Sequence, residues 1–256
     1  MTEQASRRRI ALVLEYDGGQ YGGSQLQPRV PSVQGELEQA IHQLTGEPVR
    51  LALAGRTDAG VHAQGQVAAF TTTSVHDTDV IARGLNAWLP DDIAVRRAWV
   101  APIDFDPRRH ALSRTYRYTI SNTPARSPLW RHRAWHVAEP LDTEAMQRAA
   151  ATLAGERDFA SFTRKQNTST VRCVHRCEVA RRGCRVLIDI EANAFLRQQV
   201  RRTAGALVSA GRGRLTFAAF RDLLRHPKPA AAGPLAPPQG LCLMRVSYPP
   251  KVEAAP

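Results

Sequence analysis

Lysine is almost missing from this chain: of its 35 basic residues only Lys165, Lys228 and Lys251 are lysines, and the others are arginines. A genomic bias towards Arg codons would produce the same ratio, so where the arginines sit says more than how many there are. Long apolar runs are missing as well. None approaches the roughly 18 residues that a membrane span requires, and the charged stretch from Met1 to Arg9 carries no apolar h-region. The expectation is a cytoplasmic protein with no membrane partner. Cysteine is scarce, at four residues, too few for a disulfide framework in a chain this long. Cys173, His175 and Cys177 have the residue types of a metal set, yet they alternate in a run that reads as a strand, would project from one face of it, and match no common zinc spacing. Buried thiols in a sheet, and no metal, are expected.

Acidic residues are missing from two stretches. From Pro107 to Ala138 there is none, while Arg108, Arg109, Arg114, Arg117, Arg126, Arg131 and Arg133 fall there. A second acid-free run, Phe195 to Arg214, carries Arg197, Arg201, Arg202, Arg212 and Arg214. With a net charge of +12 and a pI near 10.5, such clusters have the form of an electrostatic footprint for phosphates, and nucleic acid is the expected partner. A solvated basic face is the plainer alternative. The 256 residues, 43% hydrophobic, suffice for one large globular core or two modest ones.

Periodicity divides the chain into two similar halves, 8–104 and 105–250. In the first, Arg9 to Tyr16 is an apolar strand. Ser32 caps a helix through Val33, Leu37, Ala40, Ile41 and Leu44 that stops at Gly46. Val49 to Ala54 and Gly65 to Thr72 read as strands, Asp79 to Leu89 as a helix and Ile93 to Val100 as a strand. In the second, His110 to Ser121 is a strand and Asp142 caps a helix ending before Gly155. Val171 to Arg181 and Arg185 to Ala192 form a hairpin, Phe195 to Ala210 and Thr216 to Leu224 are helices, and Leu241 to Tyr248 closes the order. The stretch from His226 to Gln239, rich in Pro and Ala, reads as an extended surface connection. The predicted fold class is α+β: two tandem ferredoxin-like (βαββαβ) units, with their antiparallel sheets forming a shared active-site cleft.

The halves differ at one connection. The second joins its middle strands by a tight turn at Arg182-Gly183, whereas the first uses a longer polar loop, Ala54 to Ala63, in which Gly55 and Gly60 bracket Arg56, Thr57 and Asp58. Glycines suit a tight, shaped loop, and a functional insertion explains the asymmetry better than packing does.

The stretch Gly55 to His62 (GRTDAGVH) resembles the catalytic motif of the tRNA pseudouridine synthase A family. The resemblance continues through Tyr16-Asp17-Gly18, Ser32-Val33-Gln34, Arg114-Thr115-Tyr116-Arg117-Tyr118, Ala192-Asn193-Ala194-Phe195-Leu196 and Val200-Arg201, covering nearly all of Ile10 to Pro249. It implies an isomerase that converts uridine to pseudouridine at positions 38, 39 or 40 of the tRNA anticodon stem-loop, without cofactor or metal, as a homodimer. It also implies that Asp58 is the catalytic carboxylate, that Arg201 pairs with it, that Tyr116 lies against the target base, and that Arg56 helps hold the flipped nucleotide. The chain departs from the family pattern at Ser24, where Trp is usual, and at Arg202, where Asn is usual. Two other classes remain open on residues alone. One is a non-catalytic RNA-binding protein, although neither half has an aromatic RNP1 pattern. The other is a phosphate hydrolase, although no second carboxylate or metal set accompanies Asp58.

Overall fold

The computed structural model describes residues 6–164 and 167–252; Lys165 and the first five residues of the charged N-terminal stretch lie outside the described residues. The order is β1 (Arg8–Tyr16), α1 (Val33–Thr45), β2 (Ala52–Leu53), β3 (His62–Thr72), α2 (Thr78–Trp88), β4 (Ile93–Ala101) and β5 (Ser113–Ser121). It continues with β6 (Trp135–His136), α3 (Thr143–Ala151), β7 (Gly155–Asp158), β8 (Val171–Arg182), β9 (Arg185–Ala192), α4 (Gln199–Gly211), α5 (Phe217–Arg225) and β10 (Leu241–Ser247). The fold class is α+β, with mostly antiparallel strand pairing.

The chain to Leu112, together with the chain from Leu243 onward, forms one compact unit. In it β1 lies between β3 and β4, antiparallel to both, and β2 pairs with β3. Helix α1 begins where Ser32 accepts the Gly35 amide and ends at Gly46 in the left-handed conformation (φ 74°), as its caps predict. Helix α1 packs on α2, and α2 on β4, so Ile10, Leu12, Leu14, Leu37, Ile41, Phe70, Ile81 and Leu85 form a core with no exposure. The boundary read at 104/105 falls inside an aromatic cluster of this unit. Phe105 meets the Tyr248 ring edge-on at 5.2 Å, Tyr248 Oη donates to Pro107 O at 2.6 Å, and Trp99 Nε1 donates to Val252 O at 2.9 Å.

Ser113–Cys242 form the other unit. Here β9 lies antiparallel between β5 and β8, and β7 pairs with the outer edge of β8. Helix α3 packs on β8, α4 and α5 around Tyr118, Ile120, Met146, Phe159, Phe162, Ile190, Leu207 and Phe220, none exposed.

Four expectations change here. Strand β2 is two residues long rather than six. Cys173 and His175 share a face, with Sγ 3.9 Å from Nδ1, but Cys177 does not join them, because a bulge between Val174 and Arg176 shifts the register against β9 and exchanges the two faces of the strand. Only Cys177 is buried, whereas Cys184 is exposed. Helix α4 starts at Gln199, not Phe195, after Gln198 in the left-handed conformation (φ 63°). The Asn193 side chain, bonded to the amides of Cys173 and Ala194, holds the preceding segment out of the helix. Finally, the Pro- and Ala-rich connection is only partly on the surface: most of its residues are exposed or half-buried, but Ala232 and Ala236 are buried, and its amides at Ala230, Ala232 and Ala236 donate to the carbonyls of Thr163, Ser161 and Arg201. Alanine is small enough to let this strap lie against the first half of α4.

Candidate active site

The Asp58 loop is held by its own unit from three sides. Val61 N donates to Asp58 O at 3.1 Å, closing a turn whose third residue, Gly60, has φ 75°, the value that a type II turn requires there. On the second side, Tyr16 Oη lies 2.9 Å from Thr57 Oγ1, and the fully buried Gln66 donates to Gly55 O at 2.8 Å. On the third, Gly23 and Asp58 form an antiparallel bridge, Ser24 N donates to Thr57 O at 3.1 Å, and Ser24 Oγ accepts the Thr57 amide at 2.8 Å. Gly23 has φ 120°, and a Cβ there would lie 2.8 Å from Thr57 O, so only glycine allows this approach.

The effect is a half-buried Asp58 on a backbone whose neighbours on both sides are fixed, and an exposed Arg56 two residues away. Below the loop, His62 Nδ1 lies 3.1 Å from Gly18 N and 3.0 Å from Asp17 Oδ1. A neutral ring accepts the Gly18 amide there; an Nδ1–H donates to Asp17 instead. Gln66 is a support of the loop that the pattern of residues gave no reason to single out, and Ser24, marked in the sequence only as a departure from the family pattern, is another. Ser24 is fully buried and also accepts the Gln34 amide at 3.0 Å, so where Trp is usual this chain places a loop anchor.

Tyr116 and Arg201 belong to the other unit. Tyr116, paired with Ile190 across β5 and β9, is 8% exposed and meets the Phe195 ring edge-on at 5.2 Å and 89°. That geometry follows from Phe195 standing outside α4. Arg201 is half-buried in the first turns of α4; its Nε donates to Ala236 O at 2.8 Å, so the strap orients its guanidinium. Burial pushes the Tyr118 phenol above its ordinary pKa, and the positive charge of Arg201 opposes part of that shift. Arg202 is buried and its guanidinium donates to Gly233 O at 3.1 Å. Burial lowers its pKa, and the neighbouring charges of Arg164 and Arg201 add to the effect.

The acid-free runs are less uniform in space than in sequence. Arg117 makes a two-pronged ion pair with Asp189 at 2.7 and 2.8 Å, Arg114 donates to Asn193 O, and Arg212 and Arg214 both bond Glu139. Those four serve the fold. Arg108, Arg109, Arg126, Arg131, Arg133 and Arg197 are exposed and make up the remaining basic surface. Among the described residues, no three His, Cys, Asp or Glu side chains gather as metal ligands, and no helix is long and apolar enough to cross a membrane.

A family profile described as tRNA pseudouridine synthase matches residues 12–108 and 149–249, taking in Asp58 and Arg201. The chain is 48% identical over 244 residues to the tRNA pseudouridine synthase A of Pelobacter propionicus, covering 94% of this chain and 100% of that protein. It is 47% identical, with the same coverage, to the protein of that name from Geotalea uraniireducens. With its namesake from a Shewanella species it shares 44% identity over 94% of this chain and 93% of the other.

Proposed function

Because the chain belongs to the tRNA pseudouridine synthase family, whose members are isomerases, we propose that it converts uridine to pseudouridine at positions 38, 39 or 40 of the tRNA anticodon stem-loop, with Asp58 as the catalytic carboxylate. The observation that carries this reading is the anchoring of the Asp58 loop. Three sets of hydrogen bonds, one of them through a fully buried Ser24, fix the backbone on either side of a single half-buried carboxylate. A solvated turn has no use for such anchoring, whereas a group that meets a reacting atom requires it.

In the proposed reaction the N1–C1′ bond of the target uridine breaks, the uracil turns while it stays bound, and a C5–C1′ bond forms. C5 gives up its proton and N1 regains one, so no group or electron enters or leaves, and no cofactor is called for. Asp58 acts as nucleophile or base, with Arg201 as the cation that family resemblance pairs with it. Tyr116 offers an aromatic face to the extruded base. The exposed Arg56 holds the flipped nucleotide, whose extrusion costs a few kcal/mol that protein contacts must offset. We further propose that the two compact units are ferredoxin-like, the first carrying Asp58 and the second the basic elements, and that the enzyme works as a homodimer. The β4-β1-β3 order with β2 beside β3, and the β5-β9-β8 order, support the first part; family resemblance supports the second.

The test is tritium release from tRNA labelled at uracil C5. The wild type should release it, and Asp58→Ala should not, while binding of tRNA is kept. Release by Asp58→Ala at the wild-type rate would overturn the role of Asp58. Equal turnover of ribosomal RNA fragments would overturn the choice of substrate.

A further inference from the structure

Between β5 and β6 the chain leaves the sheet for a loop, residues 122–134. The loop is firmly built. The Asn122 side-chain amide donates to Val137 O and Glu139 O, His136 Nε2 donates to Thr123 O at 2.8 Å, and the amides of Trp130, Arg133 and Ala134 close successive turns. Beside it lies a cavity of about 550 Å³, whose walls include Arg126, Ser127, Trp130, Arg131, His136 and Gln239 and no carboxylate.

The chemistry of these walls is specific. The Arg185 guanidinium sits 4.7 Å from the centroid of the Trp130 ring, fixing an aromatic plane at the cavity without itself lining it. Arg126 and Arg131 are exposed and neither meets a carboxylate at the cavity wall; Arg131 Nη1 donates to Pro128 O at 2.9 Å within the loop, whereas Arg117, Arg212 and Arg214 are taken up by Asp189 and Glu139. A cavity within the roughly 300–1,000 Å³ of small-ligand sites, bearing one fixed aromatic ring, two guanidiniums and no acid, suits a planar group attached to an anion. His136 and Gln239 add hydrogen-bonding groups for the edge of that planar group. A paired base inside a helix shows no face to a wall of this kind; an unstacked one does.

We propose that this cavity holds one unpaired nucleotide of the substrate tRNA, its base stacked on Trp130 and its phosphate on Arg126 and Arg131, at a site distinct from the reacting uridine. The inference rests on the tRNA-modifying function proposed above. It also gives a purpose to the first acid-free run, whose inner arginines, Arg114 and Arg117, are bonded within the sheet.

The experiment measures the affinity of the full chain for full-length tRNA by filter binding across a series of salt concentrations. Trp130→Ala should weaken binding about tenfold, the loss typical of one stacked base, and Trp130→Phe should keep most of the affinity. Arg131→Ala should lower the slope of log K against log salt by about one. If Trp130→Ala does not fold, the Phe variant and the Arg131→Ala slope decide the matter. Wild-type affinity and slope in all variants would overturn the proposal. So would a change of sedimentation with RNA affinity unaltered, which would make the loop that carries the exposed Leu129 a contact between copies of this chain. An active Asp58→Ala enzyme would sink the active-site reading and leave this binding measurement standing.

Discussion

Ser24→Ala removes one bond of the Asp58 loop and little else. The two backbone bonds of Ser24, to Thr57 O and from Gln34 N, survive the change, so what disappears is Oγ as the acceptor of the Thr57 amide at 2.8 Å. Ser24 is fully buried and Thr57 6% exposed, so the amide loses its partner out of reach of bulk water. An orphaned buried donor costs about 1–3 kcal/mol, and urea unfolding should show a midpoint lowered to match, with its slope unchanged. The same energy favours any rearrangement of the loop that finds the amide a new partner, and that rearrangement moves Asp58. Since a misplacement of about 1 Å can cost on the order of 100-fold in rate, kcat for tritium release should fall roughly 10- to 100-fold. KM for tRNA should hold within about twofold, because Ser24 is enclosed and reaches no phosphate. Ser24→Thr, which keeps the hydroxyl, should regain part of the lost kcat. Wild-type kcat in Ser24→Ala, together with the loss of stability, would refute the claim that this bond places Asp58, and wild-type stability would refute the bond itself.

Gly18→Ala tests the opposite end of the same loop: a Cβ would lie 2.0 Å from Val61 O, a backbone atom, so the variant should melt well below the wild type, and an unshifted melting curve would contradict the close approach. Glu47 ties the end of α1 to the end of β3. Burial pushes its carboxyl up, but hydrogen bonds from Thr73 and Thr72 outweigh this and hold it below its ordinary pKa. A lowered folded pKa contributes stability that is present above the unfolded value and is lost as pH falls through the folded one. Glu47→Gln should therefore flatten the decline of stability below about pH 4, as read by denaturant titrations at each pH; an unchanged acid limb would contradict the assignment. Burial pushes the Cys177 thiol up to about 12, whereas Cys184 is exposed. Iodoacetamide on the native protein should modify Cys184 and spare Cys177, with both reacting in urea, as peptide mass spectrometry would show. Equal native labelling would mean that β8 opens far more readily than its pairing implies.

What could be read from the sequence is what residues near one another along the chain determine. Ser32 and Gly46 bracket α1 because capping acts across a few residues. The Gly183 turn joins β8 to β9 for the same reason, and the Asp58 turn was visible through Gly60. What could not be read depends on partners distant in sequence. Ser24 and Thr57 are 33 positions apart, and nothing local to either marks the bond. Glu139 lies 73 and 75 positions from the two arginines it neutralises, so a run without acids in sequence meets its acid only once the chain has folded. The cysteine reading failed at Cys177 alone, for a different reason: strand alternation holds only while register holds, and one bulge at Val174/Arg176 turns Cys177 to the face opposite Cys173 and His175. The Pro- and Ala-rich strap carries no periodicity that separates covered from exposed positions, so the burial of Ala232 and Ala236 could not be read from it. A segment of small residues can be covered as easily as exposed, and here it lies against α4, where Ala236 O receives the Arg201 guanidinium. The two kinds of miss share a consequence for the active site. Asp58 stood out in the sequence through its own turn, but Ser24, which anchors the loop, and the strap, which orients Arg201, act through contacts that only the folded chain makes, and their variants therefore test the geometry independently of the motif.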